Sequence, residues 1–380
     1  MKKALATILA LVMALSVTTM AWADDVAKID GTGYATLQEA VNAANNGQTI
    51  VLQSDVVLTA SLNVAVNKTV TLDLNSYKIT ADMNGPHMIC NAGNLTITDS
   101  SANKTGEIAK IGAETNFGYV IENHGTMTLD HCKISSTSVK SSAIENGWYT
   151  ASANTAGTSC TMTIQNAEVV SVNADGGLYT VKNDDYGVMV INGGVFTNSV
   201  AGAGAVLNWN DLTINGGTFT GASAVRTLKS GSSDFETGKS QIKNGTFNGG
   251  IDTLDGYKTG ITIAVTGGTF STDVTEYLAE GKILQKNGDT YTAVTNSGIT
   301  SGTYTAKPTV PDGYKVVENT DGTFTVEKVG GYYYYQPTTD TKTTDTKGSP
   351  KTFDAGIALY VGMALTSAAG VAFVGKKRED

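Results

Sequence analysis

A short pattern recurs along most of this chain, and it limits the folds that the chain can adopt. Most copies have two apolar residues that flank a Thr or another residue, then turn residues, then a further apolar residue. The second apolar residue of each copy lies at Leu74, Ile97, Leu129, Ile164, Ile191, Ile214, Ile242 and Val265. The spacings are 23, 32, 35, 27, 23, 28 and 23 residues. Each strand is too short to fold alone. Repetition of such strands at a period near 23 residues predicts a solenoid whose stacked coils share one core.

The composition fits an all-β chain with many tight turns. The 380 residues include 43 Gly, only 16% are charged, and Thr and Asn recur throughout. The chain is too apolar and too regular for a disordered protein, and its composition is not that of a helical bundle. The net charge of −9 disfavours a nucleic-acid partner, which would need a basic face for phosphates.

A column of asparagines accompanies the repeat. An Asn follows an apolar residue by two positions in most copies, and the column comprises Asn91, Asn123, Asn146, Asn183 and Asn208. Because side chains alternate along a strand, the Asn and the apolar residue share one face. We expect the stacked Asn side chains to hydrogen-bond from coil to coil and to satisfy buried turn amides, which is a structural role.

These residues resemble the right-handed parallel β-helix of pectate-lyase-like proteins. The resemblance covers roughly residues 24–272, and we assign the solenoid to 24–274. Thr36 and Glu39 form a capping box that predicts a short helix over residues 37–44, placed to cap the first coil. Two hairpin patterns predict a C-terminal cap and a small β module over 275–329.

Both ends of the chain have the patterns of targeting segments. Residues 1–23 have the charged start, apolar core and small-residue end of a signal peptide. Residues 330–348 are predicted to form a linker. Residues 355–375 form an apolar stretch long enough for a transmembrane helix, and a basic tail follows over 376–380.

Residues 349–354 resemble the sorting signal of Gram-positive cell-wall proteins. Pro350 and Thr352 match that motif, whereas Ser349 and Phe353 depart from its Leu and Gly. The resemblance implies that a sortase transfers the Thr352 carbonyl to peptidoglycan. The alternative is a plain single-pass membrane anchor, and in both cases the body is exported and lies outside the cell.

The sequence leaves two classes of function open. The first is a non-catalytic adhesin or stalk on the cell surface that contacts glycans or other surfaces. The second is a polysaccharide lyase or glycoside hydrolase, as the family resemblance implies. For an enzyme the residues to suspect are Arg226, Lys182, Asp184 and Asp185.

An insertion over residues 146–159 is the predicted recognition site. It carries Trp148 and Tyr149, and the next coil places Asp184, Asp185 and Tyr186 at the equivalent corner. An aromatic platform beside carboxylates suits a neutral sugar. The alternative is that Trp148 folds back onto a local cluster. No cofactor is predicted, although a Ca²⁺ ion is compatible with the acidic residues.

The three cysteines leave two arrangements open. Cys90, Cys132 and Cys160 are either buried thiols, which we favour, or one disulfide with a third free thiol. Their spacing matches no CxxC or Cys/His zinc pattern.

Overall fold

A computed structural model describes residues 25–112, 117–137, 141–148, 153–154, 157–172, 179–230 and 235–330. The described residues form a large and mostly parallel β-sheet with a single α-helix. Those up to Val329 belong to one compact unit. The sequence-based prediction of an all-β chain is therefore confirmed.

The start of the solenoid is closed by a small cap. Strands β1 (Ala27–Ile29) and β2 (Thr32–Tyr34) pair antiparallel, and helix α1 (Leu37–Ala43) follows. Thr36 caps the helix by accepting a hydrogen bond from the Glu39 backbone N–H at 3.2 Å. Leu37, Ala40 and Val41 are buried, so one face of the helix covers the end of the core.

Three stacks of parallel strands follow the cap, and each turn of the chain except the last, which contains β23 and β24, contributes one strand segment to each stack. The first stack contains β3 (Gln48–Leu52), β6 (Thr69–Asp73), β9 (Asn94–Thr98), the first parts of β12 (Thr126–Ser136) and β14 (Cys160–Ser171), β16 (Gly187–Ile191), β19 (Asp211–Ile214), β21 (Lys239–Ile242) and β23 (Thr262–Val265). The second contains β4 (Val56–Leu58), β7 (Lys78–Ala81), β10 (Glu107–Lys110), the later parts of β12 and β14, β17 (Val195–Asn198), the first parts of β20 (Thr218–Thr227) and β22 (Thr246–Asp252), and β24 (Thr269–Phe270).

The third stack is built mainly of short strands, and we call it the short-strand stack. It contains β5 (Leu62–Val64), β8 (Ile89–Asn91), β11 (Ile121–Asn123), β13 (Ile144–Asn146), β15 (Tyr179–Asn183), β18 (Gly204–Asn208) and the last parts of β20 and β22. This winding is compatible with the predicted β-helix.

The repeat positions stack in register, with one correction at the start. Seven of the predicted positions, from Ile97 to Val265, are register partners in the first stack. The partner of Ile97 in the preceding coil is Leu72, so the assignment of Leu74 to this column was wrong. Leu74 is equally buried but lies one step past the strand, at the corner.

The asparagine column forms a hydrogen-bonded ladder inside the short-strand stack. Each Asn Nδ2 donates to the Oδ1 of the next, at 2.7 Å from Asn91 to Asn123, 2.7 Å from Asn123 to Asn146, 2.8 Å from Asn146 to Asn183 and 2.8 Å from Asn183 to Asn208. Asn208 ends the ladder on the Ser240 hydroxyl at 3.0 Å. All five are buried, so the ladder satisfies polar groups that water cannot reach.

The far end of the solenoid meets an antiparallel module. A 3₁₀ turn (Thr275–Tyr277) is followed by β25 (Lys282–Asn287), β26 (Thr290–Thr295), β27 (Gly302–Tyr304), β28 (Tyr314–Glu318) and β29 (Phe324–Lys328). Strand β26 pairs antiparallel with β24, which covers the last parallel edge. The pairs β25–β26 and β28–β29 are the two hairpins expected from the sequence.

The terminal predictions concern residues that the structure does not describe. The signal peptide, the linker after Gly330, the sorting motif with Pro350 and Thr352, the apolar stretch over 355–375 and the basic tail all lie outside the described residues. Within the described part of the chain, no helix has both the length and the apolar character needed to cross a membrane.

Candidate functional site

A row of mostly polar side chains runs along the outer face of the short-strand stack. In each strand the residue between a buried apolar residue and the Asn or Thr that follows points outward, because successive side chains alternate. Register pairing aligns these residues as Cys90, Glu122, Glu145, Lys182, Leu207, Arg226 and Asp252, and we call this row the outer ladder. Neighbours in such a row stand about 4.8 Å apart.

Glu145 is the most deeply buried member of the outer ladder. Its side chain is 1% exposed, and its Oε1 lies 3.8 Å from the Lys182 Nζ. Lys182 also forms a close ion pair with Asp184, whose side chain is 5% exposed. Burial, reinforced by the Asp184 charge and only partly opposed by Lys182, raises the pKa of Glu145 to about 9. Glu145 is therefore a neutral carboxylic acid at neutral pH, whereas Asp184 is paired with a cation.

Glu122 lies next to Glu145 in the ladder and is flanked by two histidines. Its Oε1 is 3.3 Å from His87 Nε2 and 3.7 Å from His124 Nε2. The Tyr119 backbone N–H donates to His87 Nδ1 at 3.0 Å, so the neutral ring carries its proton on Nε2, facing Glu122. Burial raises the pKa of Glu122 and lowers that of His124 to about 4.

Trp148 packs against His124 instead of standing free. The two rings are parallel to within 4°, with centroids 3.7 Å apart. The Trp148 backbone N–H donates to the Asp185 carbonyl oxygen at 3.0 Å. Gly147 makes this approach possible with a φ of 120°, since a Cβ there would lie 2.6 Å from the same oxygen.

The predicted recognition residues are only partly brought together. Trp148, Asp184 and Asp185 share one corner of the coil, next to Glu145 and Glu122. Tyr186 follows them with a φ of 62° and stacks on Phe235 at 5.4 Å. Tyr149 lies outside the described residues.

The four residues suspected for catalysis do not converge. Lys182 and Asp184 are in contact, but Arg226 lies two ladder positions away, beyond Leu207. Arg226 donates to both carboxylate oxygens of Asp252, from Nε at 2.6 Å and from Nη2 at 3.0 Å. Its charge is therefore already paired in a bidentate contact.

Several buried polar atoms beside the outer ladder are left without ordinary partners. The Tyr119 hydroxyl, Glu145 Oε1 and Trp148 Nε1 are buried, and none has a hydrogen bond of normal geometry to the described residues. The Tyr119 hydroxyl nevertheless lies close enough to Glu145 to influence its ionisation.

The cysteines and possible metal ligands show no redox or metal centre within the described residues. Cys90, Cys132 and Cys160 are free thiols. Burial raises the pKa of Cys90 to about 11, so this thiol of the outer ladder is not activated. No three His, Cys, Asp or Glu side chains of the described residues converge in a way that would hold a metal ion.

Sequence reasoning missed Tyr119, Glu122, Glu145 and His87. The signal that could have found the two glutamates is their place between an Ile and a column Asn, which the Asn ladder defines as outward-facing.

Comparison with known proteins returned no matching family model, curated protein or solved structure.

Proposed function

We propose that this protein is a right-handed parallel β-helix displayed on the cell surface, where it acts as a non-catalytic adhesin or stalk that binds glycan on the outer ladder. The observation that carries the proposal is the stacked ring pair of Trp148 and His124 beside the carboxyl group of Glu122. A face without aromatic rings would suit a passive spacer equally well. An aromatic pair beside a hydrogen-bonding carboxyl group favours a surface that binds a hydroxyl-rich ligand.

The chemistry of this face favours a neutral, hydroxyl-rich ligand. The half-buried Trp148 ring can stack on a sugar ring, the Glu122 carboxyl group can accept, and the partly exposed imidazoles of His87 and His124 lie beside it. A sugar hydroxyl donates and accepts, so it can pair with groups of either kind. The −9 net charge of the chain disfavours anionic polymers, which would meet repulsion at Glu122 and Asp185.

The test of binding is a glycan array probed with wild-type protein, Trp148→Ala and Glu122→Gln. Thr213→Ala is the matched control, because Thr213 lies in the first stack, away from the outer ladder. We expect the two ladder variants to bind at least about tenfold more weakly, since losing a stacking or charge-assisted contact costs roughly 1–2 kcal/mol. Equal binding by all four proteins, or binding by none, would contradict the proposed site.

An enzyme is the second candidate, and one observation favours it. The carboxyls of Glu122 and Glu145 are ladder neighbours with different surroundings, since Glu122 lies between two histidines and Glu145 beside Lys182, and a pair of carboxyl groups is what glycoside cleavage uses as acid and base. The enzyme would release new reducing ends or unsaturated uronate from pectins, alginate or host glycans. An inactive Glu145→Gln variant with an active wild-type protein would replace the binding proposal by a lyase or hydrolase.

We further propose that export and wall attachment follow from the chain ends. The signal peptide over 1–23 would direct export, and the motif with Pro350 and Thr352 would be cut by a sortase and joined to peptidoglycan. The apolar stretch over 355–375 would hold the chain in the membrane as a single-pass helix until that transfer. The linker over 330–348 would then hold the body away from the wall.

A further inference from the structure

Lys182 lies between two buried carboxyl groups on the outer face of the short-strand stack. Its Nζ is in close contact with Asp184 Oδ2 and 3.8 Å from Glu145 Oε1. The exposed fractions of the three side chains are 15% for Lys182, 5% for Asp184 and 1% for Glu145. Three ionisable groups are thus held together where little water can reach them.

The charges of this cluster do not balance as a simple network of ion pairs. One ammonium neutralises one carboxylate, and the close contact assigns that role to Asp184. A second buried carboxylate would stay uncompensated, which is costly, so Glu145 takes up a proton. The carbonyl carbon of a neutral carboxylic acid is open to attack by an amine, whereas that of a carboxylate is not.

We propose that Lys182 and Glu145 condense to form an intramolecular isopeptide bond between neighbouring coils. Asp184 accepts a proton from the Lys182 ammonium, and the free amine attacks Glu145 Cδ. The new bond joins Lys182 Nζ to Glu145 Cδ, and the bond from Cδ to the acid hydroxyl breaks. That hydroxyl leaves as water with the second proton lost by the nitrogen, so Asp184 ends as a neutral acid and no other reactant is needed.

The fold holds the reacting groups in a productive arrangement. Lys182 and Glu145 are register partners on parallel strands, so their side chains leave the sheet side by side, about 4.8 Å apart. The 3.8 Å separation of Nζ and Oε1 places the amine beside the carboxyl group that it attacks. The Tyr119 hydroxyl is buried beside Glu145 and can donate to its carbonyl oxygen as negative charge develops there.

The bond would span the longest sequence interval between successive asparagines of the ladder, the 37 residues from Asn146 to Asn183. It closes a loop from residue 145 to residue 182, which includes the insertion after Asn146 and the segment before β15. A covalent link across that loop removes freedom from the unfolded chain and prevents the two coils from separating. This consequence does not depend on whether the outer ladder binds a glycan.

Mass spectrometry tests the proposal directly on the wild-type protein. The full chain is purified, denatured, reduced and digested with a protease. We expect a branched peptide in which the segments around residues 145 and 182 are joined with the loss of one water, and fragment ions that place the link on these two residues. Recovery of both segments as separate peptides of unmodified mass would overturn the proposal without any variant.

Variants assign the roles of the three residues. Lys182→Arg and Glu145→Ala should both abolish the mass loss, whereas Lys239→Arg should keep it, because Lys239 pairs with Asp211 on a different stack. Asp184→Ala should form the bond at least tenfold more slowly in a time course after refolding. Full and rapid cross-linking of Asp184→Ala would overturn the assignment of Asp184 as the base. A cross-linked Glu145 cannot serve as a catalytic acid, so this measurement also bears on the enzyme alternative.

Discussion

Asn123 occupies the middle of the internal asparagine ladder and makes contacts in both directions. Its Nδ2 donates to Asn146 Oδ1 at 2.7 Å and to the Thr161 carbonyl oxygen at 3.0 Å, while its Oδ1 accepts from Asn91 Nδ2 at 2.7 Å. Its exposed fraction is 0%. A substitution at this position therefore leaves buried donors and acceptors in three coils without partners.

We predict that Asn123→Ala lowers the free energy of unfolding by about 1–3 kcal/mol, because each unsatisfied buried group carries a desolvation penalty. The measurement is the midpoint and slope of urea denaturation. Asn215→Ala is the matched control, since Asn215 donates to Asn192 in an exposed pair of the same kind at 2.7 Å. We expect the control to change stability by no more than about 0.5 kcal/mol. Equal effects would show that burial is not what gives the ladder its stabilising role.

His124 should make the protein sensitive to acid. Burial and the neighbouring His87 lower the pKa of His124 from 6.5 to about 4, so folding favours the neutral ring. Its contribution to stability is complete above about pH 6.5 and is lost as the pH falls towards 4. Glu122 also faces this ring, at 3.7 Å, but does not prevent the lowering of the pKa.

The expected outcome is that His124→Phe reduces the acid-induced loss of stability. Phe can keep a planar contact with Trp148 but cannot be protonated. Between about pH 6.5 and pH 4, the wild-type protein should lose about 2 kcal/mol more than the variant, a figure that allows for partial exposure of the ring. Thermal unfolding across this range measures the difference, and parallel curves for the two proteins would contradict it.

At the scale of strands, a phenylalanine stack fills the later coils. Phe196, Phe219, Phe247 and Phe270 are register partners with ring centroids 4.9–5.0 Å apart and planes within 9° of parallel. All four are fully buried. The turns before them use glycine where φ is positive, as at Gly217 with a φ of 112°, so the chain can turn sharply and return each Phe to the same column.

We predict that Phe219→Ala destabilises the protein by about 3–5 kcal/mol, because it removes one ring from the middle of the stack and leaves a cavity between two others. Val195→Ala serves as the comparison, since Val195 lies in the same stack of strands but is 44% exposed. Its cost should stay below about 1 kcal/mol. Denaturant unfolding of both variants provides the values, and similar costs would show that the ring stack contributes no more than an exposed position.

Much of this element-level order could be predicted because it depends on local pattern. The repeat spacing indicated the strands, and Thr36 with Glu39 indicated the helix, whose capping bond is present. The prediction of Leu74 as the first repeat position was wrong because Leu72 and Leu74 are both apolar and both buried, so the sequence does not show which one lies in the strand and which at the corner. The strand register distinguishes Leu72 from Leu74, and it depends on pairing with the next coil.

The candidate site was harder to predict than the coils. Glu122 and Glu145 resemble ordinary solvated residues of a repeat, yet the Glu145 side chain is 1% exposed. Tyr119 and His87 come from connections of unequal length, so their spacing from the repeat carries no information about where they lie. The residues that face the core can be predicted from the repeat period. The residues that meet on the outer face cannot, because some of them come from connections of unequal length.

At the scale of the whole molecule, the two ends of the solenoid are closed by different means. Helix α1 with β1 and β2 covers the first coil, and β26 pairs with β24 at the last. Exposed strand edges promote association between chains, so both caps protect the solenoid from aggregation. The growth of the structure along one axis repeats the outer ladder from coil to coil, and its members differ in burial, from 1% exposed at Glu145 to 19% at Glu122.

The last prediction concerns attachment of the whole chain to the wall. If a sortase uses the motif with Pro350 and Thr352, wild-type protein in a Gram-positive host should resist extraction by hot detergent and be released by a peptidoglycan hydrolase. Thr352→Ala should remain in the membrane through the apolar stretch over 355–375 and be extracted by detergent alone. Thr346→Ala, in the linker, should behave as wild type. Complete detergent extraction of the wild-type protein would leave membrane anchoring as the mode of display, because a covalent link to peptidoglycan survives detergent.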